Sequence, residues 1–166
     1  IAGYPNVGKS SFIVRITGAR PEIASYPFTT RGIFVGHFMQ GEQRYQVVDT
    51  PGLLDRPMEE RNNIERQSIA ALSHLQGVVL YILDPSEHCG YPLDSQLSLA
   101  DDIKNWISLP MLIVANKADI MKYTGDGDVL EMSTETGQGV EDVLEKLVGI
   151  LGKLEMSSDT EKSRSH

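Results

Sequence analysis

The segment Gly3-Tyr4-Pro5-Asn6-Val7-Gly8-Lys9-Ser10 leaves this chain little architectural choice. Two glycines with four residues between them, followed by Lys and Ser, have the spacing of a phosphate loop, a turn that wraps a polyanion with backbone N–H groups. Gly3 and Gly8 permit the tight path, and a helix starting near Lys9 turns its positive end toward the same point. In this reading the loop from Asn6 through Val7 and Gly8 cradles the phosphates. Lys9 bridges the β- and γ-phosphate oxygens, the Ser10 hydroxyl ligates Mg²⁺, and Ser11 reaches the α-phosphate. The plain alternative is a chance glycine-rich turn ahead of a helix, and the rest of the chain decides against it.

Short apolar, β-branched runs alternate with longer stretches of helical period, the pattern of an α/β fold. The expected architecture has three layers: a mostly parallel central sheet with one antiparallel strand, and helices on both faces. Strands are expected over Ile33 to Met39 and Tyr45 to Asp49, joined as a hairpin by Gln40-Gly41-Glu42-Gln43. Two continuous apolar runs, Val78 to Asp84 and Met111 to Ala115, suit strands buried on both faces. Helices are expected at Lys9 to Thr17, Glu59 to Leu75, Leu93 to Ile107 and Val140 to Leu154. The apolar stripe of the last one, from Val140 to Leu154, is core.

Three further segments carry chemistry. Val47-Val48-Asp49-Thr50-Pro51-Gly52 delivers a carboxylate and then a glycine to the sheet end where ligands collect. Asp49 is the expected partner of Mg²⁺, and the backbone N–H of Gly52 can sense a γ-phosphate. Asn116-Lys117-Ala118-Asp119 follows the Met111 to Ala115 run. There the Asp119 carboxylate can accept from both N1–H and the exocyclic amine of guanine, which adenine cannot supply. Asn116 ties neighbouring loops to the base, and the Lys117 stem covers the ring. Ser133-Thr134, after a strand over Val129 to Met132, offers backbone N–H to the guanine oxygen; a turn capping the next helix explains it equally well. Between the first two motifs, Thr30, with Thr29 as its competitor, can complete the Mg²⁺ shell and bond the γ-phosphate.

Composition narrows the partners. A net charge of −8 over 166 residues opposes direct nucleic-acid binding. The single Cys89 excludes an internal disulfide. No apolar run approaches the roughly twenty residues of a membrane span, so a soluble, cytoplasmic protein is expected. Residues 1–155 read as one domain and residues 156–166 as a polar, disordered tail. Only Ile1 and Ala2 precede the phosphate loop, where a strand of about five residues belongs, so most of a first strand is expected to be missing. The stretch 120–132 is short for the helix and strand this fold normally carries there, and is expected to be shortened or gapped.

The motifs, in this order, resemble those of the translation-factor-related GTPases. The wording Tyr26-Pro-Phe-Thr-Thr30, Val35-Gly-His-Phe38, Asp49-Thr-Pro-Gly-Leu-Leu-Asp-Arg-Pro57 and Asp84-Pro-Ser-Glu-His-Cys-Gly-Tyr91 is similar to the nucleolar GTP-binding protein family, relatives of the Obg GTPases. That resemblance implies a GTP-hydrolysing switch acting in assembly of the large ribosomal subunit, nucleolar in a eukaryote, with GTP or GDP and Mg²⁺ at its site. Ribosome contacts made by parts of those proteins outside this chain do not carry over. Leu53 stands where many small GTPases place a water-orienting glutamine, so intrinsic hydrolysis should be slow and Leu53→Ala should change it little. Asn6 either holds K⁺ against the phosphates, as in potassium-dependent members of the class, or merely shapes the loop. Lys9, Thr30, Gly52 and Asn6 are thus the candidate catalytic groups. His37, His74 and His88 read as ordinary histidines, and Arg31, Arg56 and Arg61 as solvated charges beside the switches. The competing functions are a GTP-dependent interaction module with negligible hydrolysis, an Obg-like translation or stress GTPase, and an ATP-dependent kinase, which Asp119 disfavours.

Overall fold

The computed structural model describes residues 1–26 and 32–163, with side chains through residue 156. Helix α1 (Lys9–Thr17) begins at Gly8, which holds φ 112°. Strands β1 (Glu22–Ala24), β2 (Ile33–Gln40) and β3 (Gln43–Asp49) form one sheet in that order. Helix α2 (Asn63–Leu72), β4 (Val79–Leu83), α3 (Leu93–Trp106), β5 (Met111–Ala115), β6 (Leu130–Glu131) and α4 (Val140–Ser163) follow, with β4-β5-β6 as a second sheet.

The α/β architecture is the expected one. Strand β2 runs antiparallel to both its neighbours, with Phe34 opposite Asp49 and Gln40 opposite Gln43 at the hairpin, while the pairings of the second sheet are parallel. Ile1 and Ala2 lie between the sheets. The Ile1 ammonium donates to the Val48 carbonyl at 2.6 Å, and Ala2 pairs in parallel with Tyr81. The start of the phosphate loop is therefore held between β3 and β4, at the ends that carry Asp49 and Asp84.

Packing sets the position of α1. A Cβ on Gly36 would lie 2.7 Å from Thr17 Cγ2 and 3.0 Å from Ile13 Cγ2, so the helix rests directly on the backbone of β2. Phe12 and Ile13 are fully buried. Strand β4 is buried at all five positions, as a continuous apolar run predicts. The core continues through Leu99 and Ile103 of α3 and Val143 and Leu147 of α4.

Several elements differ from expectation for local reasons. Helix α2 starts at Asn63 rather than Glu59, because Asn62 and Glu65 form a reciprocal capping box and Arg61 before them is extended. A 3₁₀ turn at Met58–Glu60 replaces the expected first turn. Helix α4 continues through Ser163, over most of the stretch expected as a disordered tail. After Gly152 no glycine or proline interrupts it. Strand β1 was not expected; three residues give too short a pattern to read. Between Met121 and Val129 the chain forms no helix, and the Tyr123 amide is anchored on Glu131 Oε1 at 2.7 Å.

Candidate functional site

The phosphate loop runs from the end of the Ile1-Ala2 bridge into α1. A Cβ on Gly8 would lie 2.1 Å from Asn116 Nδ2, and one on Gly3 2.6 Å from the Ile82 carbonyl oxygen, so both contacts exclude a side chain. Asn6 takes a left-handed φ of 64°, which asparagine tolerates better than most residues. This favours its loop-shaping role, although its exposed side chain makes no hydrogen bond among the described residues and stays free for a cation. The Lys9 ammonium donates to the Gly3 and Tyr4 carbonyls, each at 2.8 Å, and spans the loop from below. Burial lowers its proton affinity, against the opposing charges of Asp49 and Asp55. Ser10 and Ser11 are exposed at the first turn of α1.

Asp49 ends β3 almost fully buried, and its Oδ1 has no hydrogen-bond partner among the described residues. Burial raises the carboxyl's affinity for protons; the Ile1 ammonium and Lys9 act the other way. A buried carboxylate oxygen without a donor, close enough to Lys9 for their charges to interact, fits a divalent cation. Thr29, Thr30 and Arg31, expected to complete this side, lie outside the described residues.

Past Asp49 the chain turns at Gly52, with φ 83°. The Gly52 amide, expected to face a γ-phosphate, donates instead to Asp55 Oδ2 at 2.8 Å. Arg61 corrects the expectation of a solvated charge. Its side chain is fully buried and donates to the Gly52 and Arg56 carbonyls, each at 2.8 Å. Arg56 pairs with Glu65. Nothing in the sequence separates Arg61 from its neighbours, because the acceptors it meets are backbone carbonyls. Leu53 is 3% exposed and belongs to the core, so its side chain turns away from any attacking water. The expectation of a mild effect for Leu53→Ala concerns the chemistry alone. By urea unfolding the variant should lose about 2–5 kcal/mol, the usual cost of such a cavity, and an unchanged midpoint would refute the core assignment.

The base-side loops meet at Asn116. Its Nδ2 donates to the Val7 carbonyl at 2.8 Å and to Thr134 Oγ1 at 3.1 Å, and its Oδ1 accepts from the Thr134 amide at 2.9 Å. One buried amide thus joins the phosphate loop, the Asn116 to Asp119 loop and the Ser133 loop, as its expected tying role requires. Lys117, at φ 61°, donates to Asp84 Oδ2 at 2.5 Å. Burial alone would raise the Asp84 carboxyl, but hydrogen bonds from Lys117, Ser86 and the Cys89 amide outweigh it and hold the group below its ordinary range. Asp119 is exposed and makes no hydrogen bond among the described residues, so both carboxylate oxygens are available.

Ser133 and Thr134 form a turn ahead of α4, as one of their two readings has it. The Ser133 amide donates to the Gln138 carbonyl at 2.8 Å and the Thr134 amide to Asn116, so neither is spare. Arg15 on α1 pins this loop through the Thr134 and Glu135 carbonyls, a contact that no sequence signal announces. His37 meets Gln46, while His74 and His88 are exposed, in keeping with ordinary histidines. Among the described residues no His, Cys, Asp and Glu cluster could hold a metal by itself, and no helix is long and apolar enough to cross a membrane.

The phosphate loop, the carboxylate ending β3 and the Asn116 to Asp119 loop, on an α/β frame, define a P-loop GTPase domain. The same fold is shared, at TM-score 0.71 and 22% identity over 90% of this chain and 94% of the other, with the G domain of the Thermotoga maritima FeoB iron transporter; at that identity the likeness shows fold alone. A crystal structure from Plasmodium falciparum, assigned provisionally to nucleolar GTP-binding protein 1, aligns at TM-score 0.84 and 34% identity, covering 99% of this chain and 90% of that one. The Arabidopsis thaliana nucleolar GTP-binding protein 1 is 46% identical over 158 residues, 89% of this chain and 24% of that protein. The family model of nucleolar GTP-binding protein 1 matches residues 63–119. The chain belongs to the nucleolar GTP-binding protein 1 family. It spans about a quarter of the length of curated relatives such as the Arabidopsis protein.

Proposed function

We propose that this domain binds guanine nucleotide with Mg²⁺, hydrolyses GTP slowly, and serves as the nucleotide switch of a factor in large-ribosomal-subunit assembly. The observation that carries the nucleotide reading is the set of bonds from Asn116 to Val7 and Thr134, which makes the phosphate side and the base side one continuous site. In this reading Lys9 and the amides from Asn6 to Lys9 hold the β- and γ-phosphates. Ser11 meets the α-phosphate, Asp119 selects guanine, and Lys117, steered by Asp84, covers the ring. Ser10 and Asp49, with Thr30, would hold Mg²⁺, whose charge offsets that of the phosphates. Asn6 is the candidate K⁺ ligand.

Slow turnover follows from Leu53, whose buried alkyl side chain cannot hydrogen-bond an attacking water. The ribosomal part of the proposal is supported by family membership and by the name nucleolar that its relatives carry, and it implies a nucleolar location in a eukaryotic source. The net charge of −8 argues that ribosomal contact is made through protein or through parts of the longer relatives that this chain does not span.

The test is GTP turnover by a full-length relative in K⁺ and in Na⁺ buffer, with and without precursors of the large ribosomal subunit. The proposal expects stimulation by the precursors. Equal rates with and without them would remove the ribosomal assignment, and equal rates in K⁺ and Na⁺ would remove the K⁺ role of Asn6.

A further inference from the structure

We propose that Asp55 sets the preference of this domain between nucleoside diphosphate and triphosphate, its carboxylate standing on the Gly52 amide until a γ-phosphate displaces it. The inference rests on the nucleotide reading above and adds a competitor for the triphosphate within the chain itself.

Four observations carry it. The Gly52 amide is already engaged, by Asp55 Oδ2 at 2.8 Å. The other oxygen, Oδ1, is buried without a hydrogen bond among the described residues, where Arg61 Nη2, 4.0 Å away, is the cation it pairs with. Arg61 is committed elsewhere, to the Gly52 and Arg56 carbonyls. The carboxylate is therefore held by one charge-assisted hydrogen bond and a long ion pair, a weaker set than a buried carboxylate can command. Meanwhile Arg61 fixes the loop through its carbonyls, so the Gly52 backbone can keep its course when the Asp55 side chain leaves.

There is room for it to leave. A cavity of about 640 Å³, lined in part by Pro5, Gly52, Asp55, Arg56 and Tyr91, opens beside the phosphate loop. The charge of Asp55 also reaches Lys9, the residue that would meet the γ-phosphate. A γ-phosphate and the Asp55 carboxylate thus seek the same amide, and they repel one another. A diphosphate has no group at that position and leaves the contact intact. The consequence is a built-in bias toward GDP, which GTP overcomes by spending part of its binding energy on expelling Asp55.

The experiment compares equilibrium binding of GDP and of a non-hydrolysable GTP analogue, both with Mg²⁺, to the 166-residue chain and to Asp55→Ala. Releasing one charge-assisted bond of the usual strength should raise affinity for the analogue about tenfold or more, with GDP affinity little changed. A merely structural role would weaken both nucleotides together. Asp55→Asn, which keeps an acceptor for Gly52 but removes the charge, should fall between the two and serves if the alanine variant does not fold. An unchanged or lowered ratio of analogue to GDP affinity in a variant that still binds GDP overturns the proposal and leaves the nucleotide reading standing. Failure of the unsubstituted chain to bind either guanine nucleotide overturns both.

Discussion

Asp119→Asn should lower GTP affinity by about 10²–10⁴-fold and leave the stability of the free domain within about 0.5 kcal/mol. The first figure follows from two hydrogen bonds from guanine to one carboxylate, each worth about 1.5–3 kcal/mol when the acceptor is charged. The second follows from exposure: Asp119 has no hydrogen bond among the described residues, so folding loses nothing with it. The two effects separate recognition from folding, which few positions in this site allow. An asparagine presents an N–H₂ group where guanine presents its amine, but xanthine carries a carbonyl there. Xanthosine triphosphate should therefore recover much of the lost affinity. Isothermal titration with GTP and XTP checks both statements, and a variant that keeps its affinity for GTP would show that the base is read elsewhere.

Lys9→Ala should reduce GTP turnover by about 10²–10³-fold, the usual cost of removing one preorganised donor from a developing negative charge. Its effect on folding is a balance. The ammonium satisfies the Gly3 and Tyr4 carbonyls, and losing it leaves two acceptors of the loop without their donor. Against that, burial disfavours the charge itself, as its lowered proton affinity shows. Stability should thus fall far less than turnover, and single-turnover phosphate release beside a thermal melt of the same sample measures both. A melt displaced enough to explain the lost turnover would contradict a direct role.

Much of this site was legible because its motifs are written in residue types with few substitutes. The helix Lys9–Thr17 and the strand Met111–Ala115 fall at the expected residues, one fixed by the glycine before it and the other by a closed apolar run. Asn116 was legible too, since its acceptors lie on loops the motifs already named. What escaped notice depends on backbone carbonyls that only the fold brings within reach. Arg61 and Arg15 look in sequence like any surface arginine, yet each holds two carbonyls of a functional loop. The Asn62 and Glu65 box was present in the sequence, but helical periodicity from Glu59 onward concealed it. For Ser133 and Thr134 the motif does not reveal that their amides meet the Gln138 carbonyl and Asn116.

Asp84 and Asp49 make an instructive pair. Asp49 ends β3 and Asp84 directly follows β4, and each is nearly or fully buried. Asp84 is saturated by Lys117, Ser86 and Cys89, and its charge is thereby stabilised. Asp49 retains an oxygen without a donor among the described residues. In the proposed switch the first carboxylate organises the base loop and the second receives the cation.

The most direct test of the central claim is release of phosphate from γ-labelled GTP under single-turnover conditions, with Mg²⁺ and a domain in excess, run beside the same measurement with ATP. Slow but complete release from GTP, none from ATP, and none from GTP in Lys9→Ala is the predicted result. Tight GTP binding with no release over hours would contradict hydrolysis and leave a nucleotide-dependent binding module, while release from ATP would contradict the role given to Asp119.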